Sequence, residues 1–304
     1  MKELLLFLYA ESPVHAGAAD SLGVLDLPVQ REAATGYPVI WGQSLKGALR
    51  QAATEHPGWD DAQVVTVFGS EVGGATDTDG TSAGRLRVGD AQLVALPVPT
   101  LRNTFAWATS EIALGRLARK YRSFGRPVVG IPRVPEVAPD RGSAPPAGDG
   151  EEGWAGKRGE VLGPCVVQLA ADPALAAWSA LLAADALGDG APFAPFAGKL
   201  RRDLLLVGQA IMPTLLRECT EQAVRVQLDE NKTVENGPFY SEYLPAETIL
   251  AASLSVHDHG RSDDADLDIM FLQSLLDNRL LQVGGDETLG KGLVWARLYG
   301  GERQ

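Results

Sequence analysis

Two hydrophobic periods alternate along the chain. Residues 4–9 form an unbroken apolar run of strand length, read as a buried strand. A long loop follows as far as Pro38, and Leu22, Val24, Leu25, Leu27 and Val29 make it too apolar for free disorder, so it is expected to be functional. A helix is predicted over 44–55, with Leu45, Leu49 and Ala52 forming its inward stripe. Strands over 85–88 and 92–96 and a helix over 110–121 come next. Residues 132–160 hold five prolines and six glycines and read as a flexible insertion.

Beyond it the pattern predicts a strand over 161–169 and helices over 173–187 and 208–218. A hairpin is expected over 223–244, where Val224, Val226 and Leu228 alternate with Arg225 and Gln227 and Asn236-Gly237 signals the turn. A strand over 248–255 and a helix over 265–281 follow, the latter on Phe271, Leu272, Leu275, Leu276 and Leu280. Leu293-Val294-Trp295 reads as a closing strand. Strands interleave with helices without a regular βαβ repeat, which favours an α+β class, an antiparallel sheet backed by helices.

Between that last helix and the closing strand, residues 284–292 hold four glycines and one lysine. From Gly285 the loop spells G-x-x-x-x-G-K-G, but a P-loop ends in Ser or Thr, so that a hydroxyl can hold Mg²⁺, and lies between a strand and a helix. Here that position is Gly292, and a helix is expected before the loop and a strand after it, which argues against a nucleotide-binding enzyme. What remains is a loop of Gly284, Gly285, Gly290, Lys291 and Gly292, with unhindered N–H groups and one cation, suited to a passing phosphodiester backbone. The bland alternative is a plain helix-to-strand connection.

Charge narrows the picture. The formal net charge is −12 over 304 residues, with 45% apolar side chains. Bulk acidity repels nucleic acid, so any RNA surface must be local. Candidates are Lys46 with Arg50; Arg116, Arg119, Lys120, Arg122 and Arg126; and Lys199, Arg201 and Arg202. Residues 221–268, in contrast, carry eleven acidic and three basic side chains. Lys46 and Arg50 stand at i,i+4 on one helical face, where like charges repel unless an anion lies between them. Ser44, expected to cap that helix, would add a hydroxyl and exposed N–H groups beside such an anion. Two solvated side chains on an outer face are the alternative.

Cys165 and Cys219 have no C-x-x-C spacing, so neither a thiolate metal site nor a disulfide framework is indicated, and the compartment reads as reducing and cytoplasmic. The N-terminus imitates a signal peptide, with Lys2, a short apolar run and Ala16-Gly17-Ala18. Glu3 in the basic region and Glu11, Pro13 and His15 just after the run argue against secretion. No segment is long enough to span a bilayer.

The strings LLLFLYAESPVHAGAADSLGVLDLPVQRE, GYPVIWGQSLKGALR, VFGSEVGG, LRNTFAWAT, FYSEYLP and QVGGDETLGKGLV, in this order over nearly the whole chain, resemble the RAMP superfamily, and within it the backbone-subunit family of type III-B CRISPR-Cas effectors, that of the fourth Cmr subunit. The resemblance implies a single domain with a modified ferredoxin-like (RRM-like) core, copies stacked along a CRISPR RNA beside other effector subunits, and divalent-metal-dependent (Mg²⁺ or Mn²⁺) cutting of the paired target RNA at regular intervals. It implies that Asp26 is needed for cutting and that the 223–244 hairpin is a thumb, with Glu242 and Tyr243 supporting the cut site at its base. Ser241 departs from a more acidic family pattern there. Asp26 could draw off a 2′-hydroxyl proton or hold the metal; His15 is a second acid or base candidate. A purely architectural RNA-binding subunit is the rival reading.

Overall fold

The computed structural model describes residues 2–17, 26–70, 83–125, 130–148, 152–188, 190–257 and 262–300; Ala18, Leu22, Val24, Leu25 and Arg126, singled out above, lie outside these residues. Strand β1 (Lys2–Ala10) is followed by β2 (Val39–Ile40), helices α1 (Gly42–Glu55) and α2 (Asp61–Phe68), and strands β3 (Leu86–Val88), β4 (Ala91–Pro99) and β5 (Phe105–Thr109). Next come α3 (Glu111–Ser123), β6 (Arg141–Ala144), β7 (Glu160–Leu162), β8 (Cys165–Ala171), α4 (Pro173–Leu182), α5 (Ala194–Asp203), β9 (Leu204–Val207) and α6 (Met212–Glu218). The hairpin β10 (Glu221–Leu228) and β11 (Val234–Tyr243), then β12 (Ile249–Val256), α7 (Ser262–Leu276), β13 (Arg279–Gln282) and β14 (Leu293–Tyr299) complete the order.

The antiparallel run β14-β1-β12-β4, with α1 and α7 as its crossovers, is the strand order of a βαββαβ ferredoxin-like core. Elements between β4 and β12 extend the same sheet outward as β5-β9-β6-β8-β7. Alternation along β1 divides its side chains between two cores. Leu4, Leu6 and Leu8 pack with α1, α2 and α7, whereas Leu5, Phe7 and Tyr9 pack with α3, α4 and α5. The 4–9 run is therefore apolar throughout because both faces of its strand are covered.

Several expectations are corrected. Residues 132–160 are not merely a loop: Arg141–Ala144 forms β6, paired with β8 and β9. Gly142 serves close packing there, because a Cβ would lie 2.6 Å from the Leu206 carbonyl oxygen. The 161–169 strand is a β7–β8 pair turning at Gly163, whose φ is 54°. Helix 173–187 is α-helical to Leu182 and π-helical over Ala183–Leu187. The hairpin turns at Asp229 rather than Asn236-Gly237, since the Asp229 carboxylate accepts from the Asn231 and Thr233 N–H groups and the Thr233 hydroxyl. Helix α7 ends at Leu276, before Asn278 with a left-handed φ of 56°, so Leu280 belongs to β13 and the glycine loop joins two strands.

Double-sided burial makes β1 sensitive to truncation. Leu8→Ala should destabilise the protein by about 2–5 kcal/mol, lowering the urea midpoint without changing the slope. Leu101→Ala, at a residue 88% exposed, should leave the unfolding free energy within about 0.5 kcal/mol of wild type.

Candidate nucleic-acid interface

The long first loop is held by paired backbone on two neighbours. Val14 exchanges hydrogen bonds with Leu244, His15 accepts from Gly285 N–H at 2.9 Å, and Pro13 accepts from Gly292 N–H at 2.9 Å. Farther along, Leu27 bridges Ser241, Glu242 N–H donates to the Leu27 carbonyl, and the Asp26 and Leu27 N–H groups both reach the Tyr240 carbonyl. The described parts of the loop thus sit on the glycine loop at one end and on the base of β11 at the other.

Asp26 stands exposed at that junction, its Oδ2 accepting from the Tyr240 N–H at 2.8 Å. That bond is a structural duty that sequence reading missed. Glu242 lies behind it, 3% exposed, with Oε1 paired to Arg31 at 2.5 Å and Oε2 accepting from Val29 N–H at 3.0 Å. Both oxygens are occupied, so Glu242 anchors the loop instead of facing solvent as an acid or base. His15 is similarly enclosed: it is 8% exposed, and Nδ1 donates to the Glu242 carbonyl at 2.8 Å.

Tyr243 sits at the centre of a polar node. Its hydroxyl bonds Asp286 at 2.8 Å and also Arg225, whose guanidinium forks onto both Asp286 oxygens. Lys291 Nζ lies 5.2 Å from the Tyr243 ring centroid, and the His15 ring lies 5.5 Å from it. The Arg225 hydrogen bonds hold the Asp286 carboxyl below its usual range, while burial raises the Tyr243 hydroxyl. Arg225 and Asp286 were missed in sequence because the fork pairs residues 61 positions apart. An acid among glycines was the available signal; in the fold it takes a left-handed φ of 64°.

The glycine loop differs from its expected form. Gly284, at φ 89°, has no room for a Cβ, which would lie 2.3 Å from the His15 carbonyl oxygen. The N–H groups of Gly285, Leu289, Gly290, Lys291 and Gly292 are spent on His15, Asp286, Glu287, Asp286 and Pro13. Most of the expected free donors therefore hold the loop's own shape and its contact with the first loop. A strand precedes the loop, but β14 follows it, so no α-helix begins at its end as a P-loop requires, and the loop itself holds only a 3-10 turn over Glu287–Leu289.

Helix α1 also departs from expectation. Ser44 is exposed inside the helix; the cap position is Trp41, and the first N–H, from Gly42, goes to the Asp90 carboxylate at 2.7 Å. Lys46 donates to the Leu86 carbonyl at 2.9 Å and Arg50 to the Gly69 carbonyl at 2.8 Å, so backbone oxygens, not a required anion, accommodate the like charges. Burial first, and Arg50 second, press the Lys46 ammonium below its ordinary value. Among the described residues no three His, Cys, Asp or Glu side chains group as a metal site, and no helix is long and apolar enough to cross a membrane.

A ferredoxin-like sheet enlarged on one side, with a projecting hairpin and a glycine loop before its last strand, defines a class: the chain belongs to the RAMP superfamily, whose profile matches residues 7–295. It is 30% identical over 297 residues to the CRISPR system Cmr endoribonuclease Cmr4 of Pyrococcus furiosus, covering 97% of this chain and 95% of that one. The crystal structure of oligomeric Cmr4 from Pyrococcus furiosus superposes with a TM-score of 0.73 at 26% identity over 98% of both chains. A chain of a type III-B Cmr-beta complex bound to cognate target RNA shares the fold, with a TM-score of 0.72 at 20% identity over 98% of this chain and 97% of that one.

The Arg225–Asp286 fork should be lost in acid. A depressed carboxyl contributes stability above its unfolded value near 4 and loses it as pH falls through the lower folded value. Asp286→Asn should thus lower the urea midpoint at pH 7, and the gap from wild type should narrow by pH 3. An equal gap at both pH values would show that the charge of Asp286 is not what matters.

Proposed function

We propose that this chain is a CRISPR RNA-binding backbone subunit of a type III-B effector, stacked with further copies of itself and other subunits, and that it cleaves guide-paired single-stranded target RNA at regular intervals. The observation that carries the catalytic part is the exposed Asp26 carboxylate, fixed by one backbone N–H at the root of the projecting hairpin. The 30% identity to a Cmr endoribonuclease over nearly the full chain supports the same reading. An RRM commonly binds RNA on its open sheet face. Here α3, α4 and α5 cover that face, so RNA is left to the loops and helix edges.

RNA can be cut by its own 2′-hydroxyl when the nucleotide is splayed so that hydroxyl, phosphorus and leaving oxygen align, and positioning supplies much of the rate. With Oδ2 engaged by Tyr240, Asp26 offers Oδ1 to take the hydroxyl proton. One carboxylate is a small donor set, yet Mg²⁺ is commonly held by one or two carboxylates together with substrate phosphates. Asp26 fits that role beside RNA, and Mg²⁺ or Mn²⁺ would supply charge stabilisation at the phosphate. His15 and Glu242 act by holding the first loop and hairpin in register. Ser44, Lys46, Arg50 and the loop of Gly284, Gly285, Gly290, Lys291 and Gly292 track the guide backbone.

Asp26→Asn, reconstituted with guide and partner subunits, should bind target as wild type does and cut it roughly 10²- to 10⁴-fold more slowly in single turnover, wild-type products ending in a 2′,3′-cyclic phosphate. Undiminished cutting would remove Asp26 from the mechanism and shift the role to His15 or Glu242, and lost guide binding would favour the purely architectural subunit. If Lys46 and Lys291 touch phosphates, Lys46→Ala and Lys291→Ala should each weaken binding to unrelated guides equally and flatten the salt dependence by about one unit of slope. An altered sequence preference would exclude a backbone role for that residue.

A further inference from the structure

The outward faces of α3 and α7 carry side chains at the same spacing. On α3, Leu114, Leu117 and Tyr121 point into the core, and the opposite side of the helix presents Ile112, Gly115, Arg119 and Arg122. On α7, Ile269, Leu272 and Leu276 point inward, and the opposite side presents Leu267, Met270, Ser274 and Asp277, the last still on the helical ladder through its N–H to the Gln273 carbonyl at 2.9 Å. Each set steps by three, four and three residues, the course of one stripe along an α-helix. Ile112 is 44% exposed, Leu267 51% and Met270 63%. A Cβ on Gly115 would meet nothing within 4 Å, so the α3 stripe has a hollow there. Arg119, Arg122 and Asp277 are exposed and make no ion pair among the described residues.

The two stripes are complementary position by position. Laid side by side in the same direction, they set Leu267 on Ile112, Met270 over the hollow at Gly115, Ser274 beside Arg119 and Asp277 against Arg122. Within one molecule they cannot meet, because α3 and α7 cover opposite faces of β1. We infer that α7 of one copy packs on α3 of the next, so that this chain joins to itself through two unlike faces. The inference rests on the stacked-subunit reading above and names the surfaces that meet. Contact between unlike faces leaves one of each free at the ends, so the join grows into an open stack instead of closing as a two-fold dimer. One helix stripe on another covers less than the roughly 800 Å² per partner of a standard interface. The contact is therefore weak in isolation and is completed by the RNA that the copies share.

The test uses the full chain assembled on guide RNA. Chains carrying Gly115→Cys are mixed with chains carrying Met270→Cys and treated with a short bismaleimide crosslinker. The mixture should give a crosslinked species of two chains, with the peptides around positions 115 and 270 joined in the mass spectrum, and neither variant alone should give that species. Without crosslinker, Arg122→Asp and Asp277→Arg should each raise the concentration for half-assembly roughly 5- to 50-fold, while both changes in one chain should restore most of the loss, since the opposite charges meet again with their signs exchanged. If the double variant assembles as poorly as Arg122→Asp, Arg122 acts on something other than Asp277 and the proposal falls. If Met270→Cys alone joins through position 270 of both chains, the contact is α7 on α7 and the proposal falls. If copies assemble on the guide and positions 115 and 270 never join, the faces are wrong and the stacked reading stands. If size by light scattering does not grow when guide RNA is added, both readings fail together.

Discussion

Covering both faces of β1 is the constraint from which the rest of the architecture follows. A strand whose successive side chains all need burial must lie inside a three-layer stack, so the chain supplies one set of helices from the ferredoxin-like core and another from the long segment between β4 and β12. That second layer closes the sheet face on which an RRM would lay its bases. On the proposed reading, RNA is thereby displaced to edges and loops, Asp26 among them.

On the proposed reading, edges alone would not hold the Asp26 carboxylate in one place. The described parts of the first loop are held by a series of isolated backbone bridges to β11 and the glycine loop, reinforced by the part-buried Arg31–Glu242 pair. Removing one partner of such a pair leaves a charge uncompensated, which costs far more than the intact pair contributes. Glu242 and His15 therefore matter through position. Asp26 stands where it does because Tyr240, at the hairpin root, binds it through both backbone groups.

The acidic balance of the chain and its proposed RNA ligand are compatible because charge is segregated. Near the glycine loop, Asp286 neutralises Arg225 and leaves Lys291 over the Tyr243 ring. Around the start of β4, the acids are consumed by backbone and by Arg116, and Arg119 and Arg122 stand outward on α3. Local potential, not net charge, decides where a phosphate backbone can approach.

Much of the fold is written in local periodicity. The apolar run of β1, the stripe Leu45–Leu49 on α1 and the Ser110 cap of α3 carry their own signals within a few residues, and each element lies close to where they point. The glycine loop was likewise visible in sequence, through the clustering of its glycines. Whatever depended on distant neighbours was not. Gly142 looks like a chain breaker until strands β8 and β9 close upon it, and the Asn236-Gly237 turn signal yields to the stronger side-chain network of Asp229. Ser44 could not cap a helix that begins two residues earlier with its first N–H on Asp90. Arg225 and Asp286, 61 residues apart, acquire meaning only as a fork around Tyr243. Local propensity and hydrophobic period act within one element and so are legible in one dimension; ion pairs, close backbone approaches and the choice of which carboxylate stays exposed are decided between elements, by the tertiary structure alone.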